Sequence, residues 1–219
     1  MDEIILTTFT DPMMGLSYEC EPVYEALRAR YAGRIAFRWV MAGLVRDAAD
    51  FMTPEELAMP EEHGLAAYNR RLAGIYLSEE PLGGLPMNMN GFHLFDAQHR
   101  SSWPLCIAFK AVQLCAPEKA EAYLMRLRRA TILEGRQTTR REELIAAAGE
   151  CGVDEAAFAR RLDDGSAEKA FGDDLRLTRS LGVRSLPACL IQCGGKSALV
   201  SGMIGLSGFA AAIGRLAGE

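Results

Sequence analysis

The order of the apolar patterns along the chain constrains its fold more than any other feature. Ile4-Ile5-Leu6-Thr7-Thr8-Phe9 is short, apolar and β-branched, and predicts a buried strand that Asp11-Pro12 ends. From Leu16 to Tyr31 the spacing turns helical, with Leu16, Cys20, Val23, Leu27 and Tyr31 on one stripe. Pro22 lies inside that stripe and predicts a kink, and Gly33 predicts the helix end. Ile35 to Met41 predicts a second strand, so the chain opens with a β-α-β unit whose strands run parallel. Near the other end, Ala188–Cys193 and Lys196–Ser201 predict two strands joined by a Gly194-Gly195 hairpin turn, with a helix from Gly205 to Leu216 after them.

Everything between these two strand groups predicts helix. Thr53-Pro54-Glu55-Glu56 carries a capping box with proline at the first helical position, and helix runs, with a break near Met59-Pro60, to about Leu77. An irregular segment rich in Gly, Pro, Met and Asn spans Glu80 to His99. Ser102 is placed to cap the next helix, and Leu105 to Ala116 is nearly all apolar, which predicts burial on most sides. Pro117–Leu133 is amphipathic, Thr139–Ala148 and Asp154–Leu162 are two short helices, and Ser166 is placed to cap a further helix ending at Leu181-Gly182. Without the middle helices the order is β-α-β-(α)-β-β-α. The expected class is therefore α/β, a thioredoxin-like fold made of residues 1–50 and 176–219, with an all-α helical domain, 51–175, inserted in it.

Composition narrows the function. The chain has 219 residues, 49% hydrophobic and 24% charged, an ordinary globular mixture large enough to bury a core. A net charge of −5 argues against a nucleic-acid partner, which needs a basic face. The basic cluster Arg126, Arg128, Arg129, Arg136, Arg140 and Arg141 is interrupted by Glu134, Glu142 and Glu143 and reads as a solvated helix face. No apolar run reaches membrane-spanning length and no basic leader precedes the first strand, so the expectation is a cytoplasmic protein with no membrane partner. The six cysteines have neither disulfide-framework nor zinc-ligand spacing, and the three histidines join no ligand motif; no metal is expected.

Several short stretches, in order, resemble the cytoplasmic, FrnE-like branch of the DsbA family. They are Thr10-Asp11-Pro12 followed by Glu21-Pro22-Val23, then Ser101-Ser102-Trp103-Pro104, Glu134-Gly135-Arg136, and Leu181-Gly182-Val183-Arg184-Ser185-Leu186-Pro187. The resemblance covers nearly the whole chain. It implies a thioredoxin fold with a helical insertion, a cis-proline loop at Leu186-Pro187, and a C-x-x-C motif between Pro12 and Glu21. In that window stand Met14-Gly15-Leu16-Ser17.

Both thiols of the motif are therefore missing. Disulfide exchange needs a thiolate, which a helix N-terminus stabilises; a thioether cannot ionise, and a serine hydroxyl is far too weak an acid. The site is degenerate and no catalytic residue is assigned. Its N–H groups at the helix start can still attract an anion, and the Leu186 backbone can still pair with an extended peptide. The expected function is a non-redox binding or adaptor protein that engages a peptide, a protein partner or a small thiol through Pro12, Met13, Met14, Ser17, Leu186 and Pro187. A second copy of the chain is a further candidate partner. The alternative is an enzyme of the wider superfamily, a thiol-disulfide oxidoreductase or a glutathione-dependent isomerase or transferase. The resemblance to kappa-class glutathione transferases and 2-hydroxychromene-2-carboxylate isomerases would make Ser17 the residue that holds the sulfur of glutathione, the one candidate cofactor.

The remaining residues have plainer readings. Cys20 lies on the apolar stripe and Cys189 shares a strand face with Ile191 and Cys193, so both read as core thiols. Cys106, Cys115 and Cys151 read as packing on inserted helices. Met13, Met14, Met87 and Met89 either fill the core or line an adaptable apolar groove. Gly194-Gly195-Lys196-Ser197 lacks the upstream glycine of a phosphate loop, and Gly15-Leu16-Ser17 lacks the second glycine of a nucleophile elbow.

Overall fold

The computed structural model describes residues 3–218. The strands are β1 (Ile4–Thr10), β2 (Ile35–Met41), β3 (Ala188–Cys193) and β4 (Lys196–Ser201). They form one sheet in the order β2-β1-β3-β4, with β1 and β2 parallel and the other two pairings antiparallel. The β3–β4 turn has positive φ at both Gly194 and Gly195, the two positions of a tight hairpin that glycine fills without steric cost.

The side chains alternate across the sheet as the strand pattern requires. Leu6 stands opposite Phe37 and Ile191, and Thr8 opposite Trp39 and Cys189, on one face. The helices α1 (Gly15–Glu19) and α2 (Glu21–Arg30) follow β1, and α10 (Leu206–Ala217) ends the chain. The rings of Tyr24 on α2 and Phe209 on α10 meet edge-on, and Tyr24 also meets Phe37 and Trp39 of β2. Phe9, Val40 and Ala188 form a smaller cluster, joined by Val183, Leu186 and Leu190.

The helix expected from Leu16 to Tyr31 is two helices. The break falls at Cys20, and Pro22 lies in the first turn of α2, where its missing N–H leaves no hydrogen bond unmade. Leu16 is only partly buried, while Ser17, Tyr18 and Glu19 are buried. The helix start faces inward more fully than a single amphipathic stripe allows.

Between β2 and β3 the chain is helical: α3 (Pro54–Leu57), α4 (Glu61–Gly83), α5 (Trp103–Cys115), α6 (Ala120–Ile132), α7 (Arg141–Glu150), α8 (Glu155–Asp163) and α9 (Ser166–Ser180). The capping box is present in full, with the Glu56 N–H donating to Thr53 Oγ1 at 3.2 Å and the Thr53 N–H donating to Glu56 Oε2 at 2.8 Å. Helix α4 runs six residues past the expected end at Leu77, with Pro81 inside it, so the irregular segment begins only at Gly84. On α5, Leu105, Cys106, Ala108, Phe109, Ala111 and Val112 are all fully buried.

Ser102 stands at the N-cap of α5 as expected, but its hydroxyl donates to the Asp11 carboxylate and makes no capping bond; Ser166 lies within α9, whose N-cap is Gly165. The arginine cluster is not wholly a solvated face either. Arg128 has no exposed surface: it crosses from α6 to donate to Thr10 Oγ1 at 2.8 Å and lies 3.3 Å from Glu21 Oε1. Arg126 and Arg136 share Glu134 and Glu150 in a partly exposed ion-pair network.

Candidate functional site

The chain leaves β1 through a tight turn. The Met14 N–H donates to the Asp11 carbonyl at 3.1 Å, and the Met13 N–H donates to Asp11 Oδ1 at 3.1 Å. Asp11 is fully buried, and its other oxygen accepts from the Leu44 N–H at 2.8 Å, the Ser102 hydroxyl at 2.6 Å and the Cys106 thiol at 3.4 Å. Desolvation pushes its pKa up against these four donors. One carboxylate thus ties the turn to the β2–α3 connection and to α5. Sequence reasoning passed over Asp11 as a motif residue; its only signal was an acidic side chain between a buried strand and a proline.

Met14 is the N-cap of α1 and provides no side-chain cap, having no oxygen to accept an N–H. Tyr76 on α4 donates its hydroxyl to the Met13 carbonyl. Helix α4 approaches α1 so closely that a Cβ on Gly15 would collide with Glu79 Oε2 and lie 2.9 Å from Tyr76 Cδ1. Glycine is required there for space. The Glu79 carboxylate therefore lies against the start of α1, where the Leu16 N–H holds its pKa down. An acidic side chain of the chain itself thus stands beside the N–H groups that were expected to attract an anion. Burial, with the negative Glu19 nearby, raises the Glu79 pKa to about 7.

Met13, Met14 and Gly15 line one apolar cavity of about 170 Å³ together with Leu72, Ile75 and Glu79 of α4. Met13 is 1% exposed and Met14 8%. Met87 and Met89 lie outside this cavity and pack in the core, so the four methionines do not form one groove. Pro12 is buried in the turn. Ser17 is 1% exposed and its Oγ has no hydrogen-bond partner, so its hydroxyl is closed off from any ligand sulfur.

The Leu186–Pro187 peptide is cis. Pro187 is buried and its carbonyl accepts from the Gly202 N–H at 2.8 Å. Leu186 is half-buried against Phe9, Val40 and Ala188, and among the described residues its own N–H and C=O have no hydrogen-bond partner. Neither residue lines the methionine cavity.

No other sulfur replaces the missing pair. Burial pushes the Cys20 thiol up to about 11 and the Cys189 thiol up to about 12, and raises Cys106 strongly. Cys189, Ile191 and Cys193 are buried on one face, as their alternation requires. Cys115 and Cys151, half-buried, are also raised by desolvation. Among the described residues, no cluster of His, Cys, Asp and Glu could hold a metal ion, and no helix is long and apolar enough to cross a membrane.

A family model described as thioredoxin matches residues 7–198. The chain belongs to the thioredoxin family. Its fold within that family is the DsbA-like one, strands and helices of thioredoxin with helices inserted between β2 and β3. A solved protein of Nitrosomonas europaea superposes with a TM-score of 0.76 at 18% identity, over 98% of this chain and 95% of that one. The cytosolic disulfide reductase DsbM of Pseudomonas aeruginosa gives 0.67 at 21% identity, over 97% and 93%. Among curated sequences, the ClpXP adapter protein SpxH of Shouchella clausii is 27% identical over 183 residues, covering 82% of this chain and 55% of that protein. The chain spans about half the length of the curated relatives it matches.

Proposed function

We propose that this thioredoxin-family chain is a non-redox adaptor that holds a protein partner at its degenerate active site. One observation carries the reading: where the fold would present an ionisable thiol, the start of α1 presents Met14 on an apolar cavity. A thioether binds by contact and cannot exchange disulfides. The free N–H and C=O of Leu186 offer a place for an extended segment to pair by strand addition. The role named for the SpxH relatives, adapter to the ClpXP protease, fits a thioredoxin fold used for holding. The glutathione-dependent alternative needs Ser17 to reach a sulfur, and Ser17 is buried.

Two assays test this. With dithiothreitol and insulin, the purified chain should give no more reduction than buffer; acceleration overturns the non-redox half. Added to ClpXP and cell extract from its own organism, the chain should speed the loss of a discrete set of proteins. Leu186→Pro, which removes the pairing N–H, should abolish that effect while circular dichroism stays unchanged. Proteolysis indifferent to the chain overturns the adaptor half.

A further inference from the structure

The cavity beside Met14 is lined mainly by apolar residues and two tyrosines, Tyr68 and Tyr76; its two charged residues, Arg71 and Glu79, differ in availability. Arg71 is committed: Nε donates to Glu56 Oε1 at 2.9 Å, and Nη2 donates to Glu56 Oε2 at 2.8 Å and to the Phe51 carbonyl at 2.7 Å. Glu79 has no cation within ion-pair distance among the described residues, its Oε2 is buried without a hydrogen-bond partner, and Glu19 adds a like charge. The rim is open and apolar, with Phe51 44% and Ile75 40% exposed. An uncompensated carboxylate in an apolar wall favours an occupant that brings a positive charge on an apolar stem.

We propose that this cavity takes a lysine side chain of the partner protein, its four-carbon stem against Met13, Met14, Leu72 and Ile75 and its ammonium on the Glu79 carboxylate. The inference rests on the adaptor reading and adds the chemistry of what is held. The cavity, about 170 Å³, is close in size to one known to hold a single benzene, about 150 Å³, so it admits one long side chain. With Oε2 shut in against Gly15, the carboxylate has one oxygen left to offer, which suits a point cation better than the two-pronged guanidinium of arginine. The net charge of −5 draws a basic partner toward the chain.

The test uses n-butylammonium, the lysine side chain without its backbone, against the full chain carrying ¹³C-labelled methionine methyls. Butylammonium should shift the Met13 and Met14 methyl signals with a Kd roughly tenfold below that of 1-butanol, about 1.4 kcal/mol. Glu79→Gln should bring the two within about twofold, the ammonium having lost its carboxylate. Butanol binding as tightly as the amine, or a preference for the amine that survives Glu79→Gln, overturns the assignment. The proteolysis assay separates this inference from the reading beneath it. If Glu79→Gln leaves adaptor activity whole, the lysine site falls and the adaptor stands. If the wild type has no adaptor activity yet butylammonium shifts both methyls in a Glu79-dependent way, the cation site stands and the adaptor falls.

Discussion

Replacing Arg128 by methionine tests how the inserted helices are held to the sheet. Arg128 is fully buried on α6, with its guanidinium against Thr10 at the end of β1, Glu21 at the start of α2, and the Trp39 ring of β2 at 5.7 Å. Arg128→Met keeps an apolar stem and removes the charge, leaving the Glu21 carboxylate buried without its counter-ion. Breaking a buried pair by removing one partner costs about 3–5 kcal/mol. In a chain of this size that lowers Tm by roughly 6–20 °C. The double variant Arg128→Met with Glu21→Gln removes both charges and should recover a substantial part of the loss, because the penalty belongs to the orphaned carboxylate. Burial already raises the Glu21 pKa with Arg128 opposing it, so the single variant raises it further. A folded pKa above the unfolded value means stability is lost as pH rises toward the folded value, so the single variant's deficit should shrink at pH 5. Urea melts of the wild type, Arg128→Met, Glu21→Gln and the double variant at pH 5 and pH 8 decide it. A single-variant cost under about 1 kcal/mol, or additive costs in the double variant, refutes the reasoning.

Three further outcomes follow from the site. Glu79 is held at about 7 against an ordinary 4.5, worth about 3 kcal/mol in full and about 1–2 kcal/mol once solvent screening of a half-buried group is allowed for. Both states are protonated below 4.5 and the native state alone keeps the proton up to about 7, so Glu79 costs stability increasingly as pH rises through that window; Glu79→Gln should match the wild type in urea melts at pH 4 and exceed it at pH 8. Ser17→Ala deletes a buried hydroxyl with no partner and should leave stability unchanged or raise it by up to about 1 kcal/mol; a loss above about 1 kcal/mol would show that the hydroxyl has a partner. Gly15→Ala drives a methyl into Glu79 and Tyr76 and should cost about 1–3 kcal/mol by thermal melt, whereas the same change at the uncrowded helical Gly74 should stabilise by up to about 1 kcal/mol.

The strands and most helices were legible because each carries its own period: β-branched runs for β1 and β2, two glycines for the hairpin, a capping box for α3. The errors lie where a distant residue decides a local outcome. Ser102 is a sound cap by sequence, yet a buried Asp11 ninety-one positions away claims its hydroxyl. Arg128 reads as solvated beside its neighbouring glutamates, yet Thr10 and Glu21 hold it in the interior. The loss of both thiols was plain in the register between Pro12 and Glu21. That Glu79 fills the helix start was not, because α4 brings it there from sixty-odd residues on, and nothing local to Glu79 distinguishes it from Glu80.

That last placement changes what restoring the motif should do. A cysteine at a helix start is acidic because backbone N–H groups and nearby positive charge stabilise its thiolate. Here the Glu79 carboxylate already lies against the helix start beside Gly15, and Glu19 adds a second negative charge. A thiol placed at position 14 would meet a carboxylate where a thioredoxin-like site needs an open N–H, and a like charge raises a thiol pKa. Each unit of that rise cuts the thiolate fraction about tenfold near neutral pH. Met14→Cys with Ser17→Cys alone should therefore reduce insulin weakly, and adding Glu79→Gln should raise the rate by about tenfold or more. If the double variant is as fast as the triple, Glu79 does not govern the helix start. The chain would then be a redox scaffold short of two sulfurs, and not one whose electrostatics have been rebuilt around their absence.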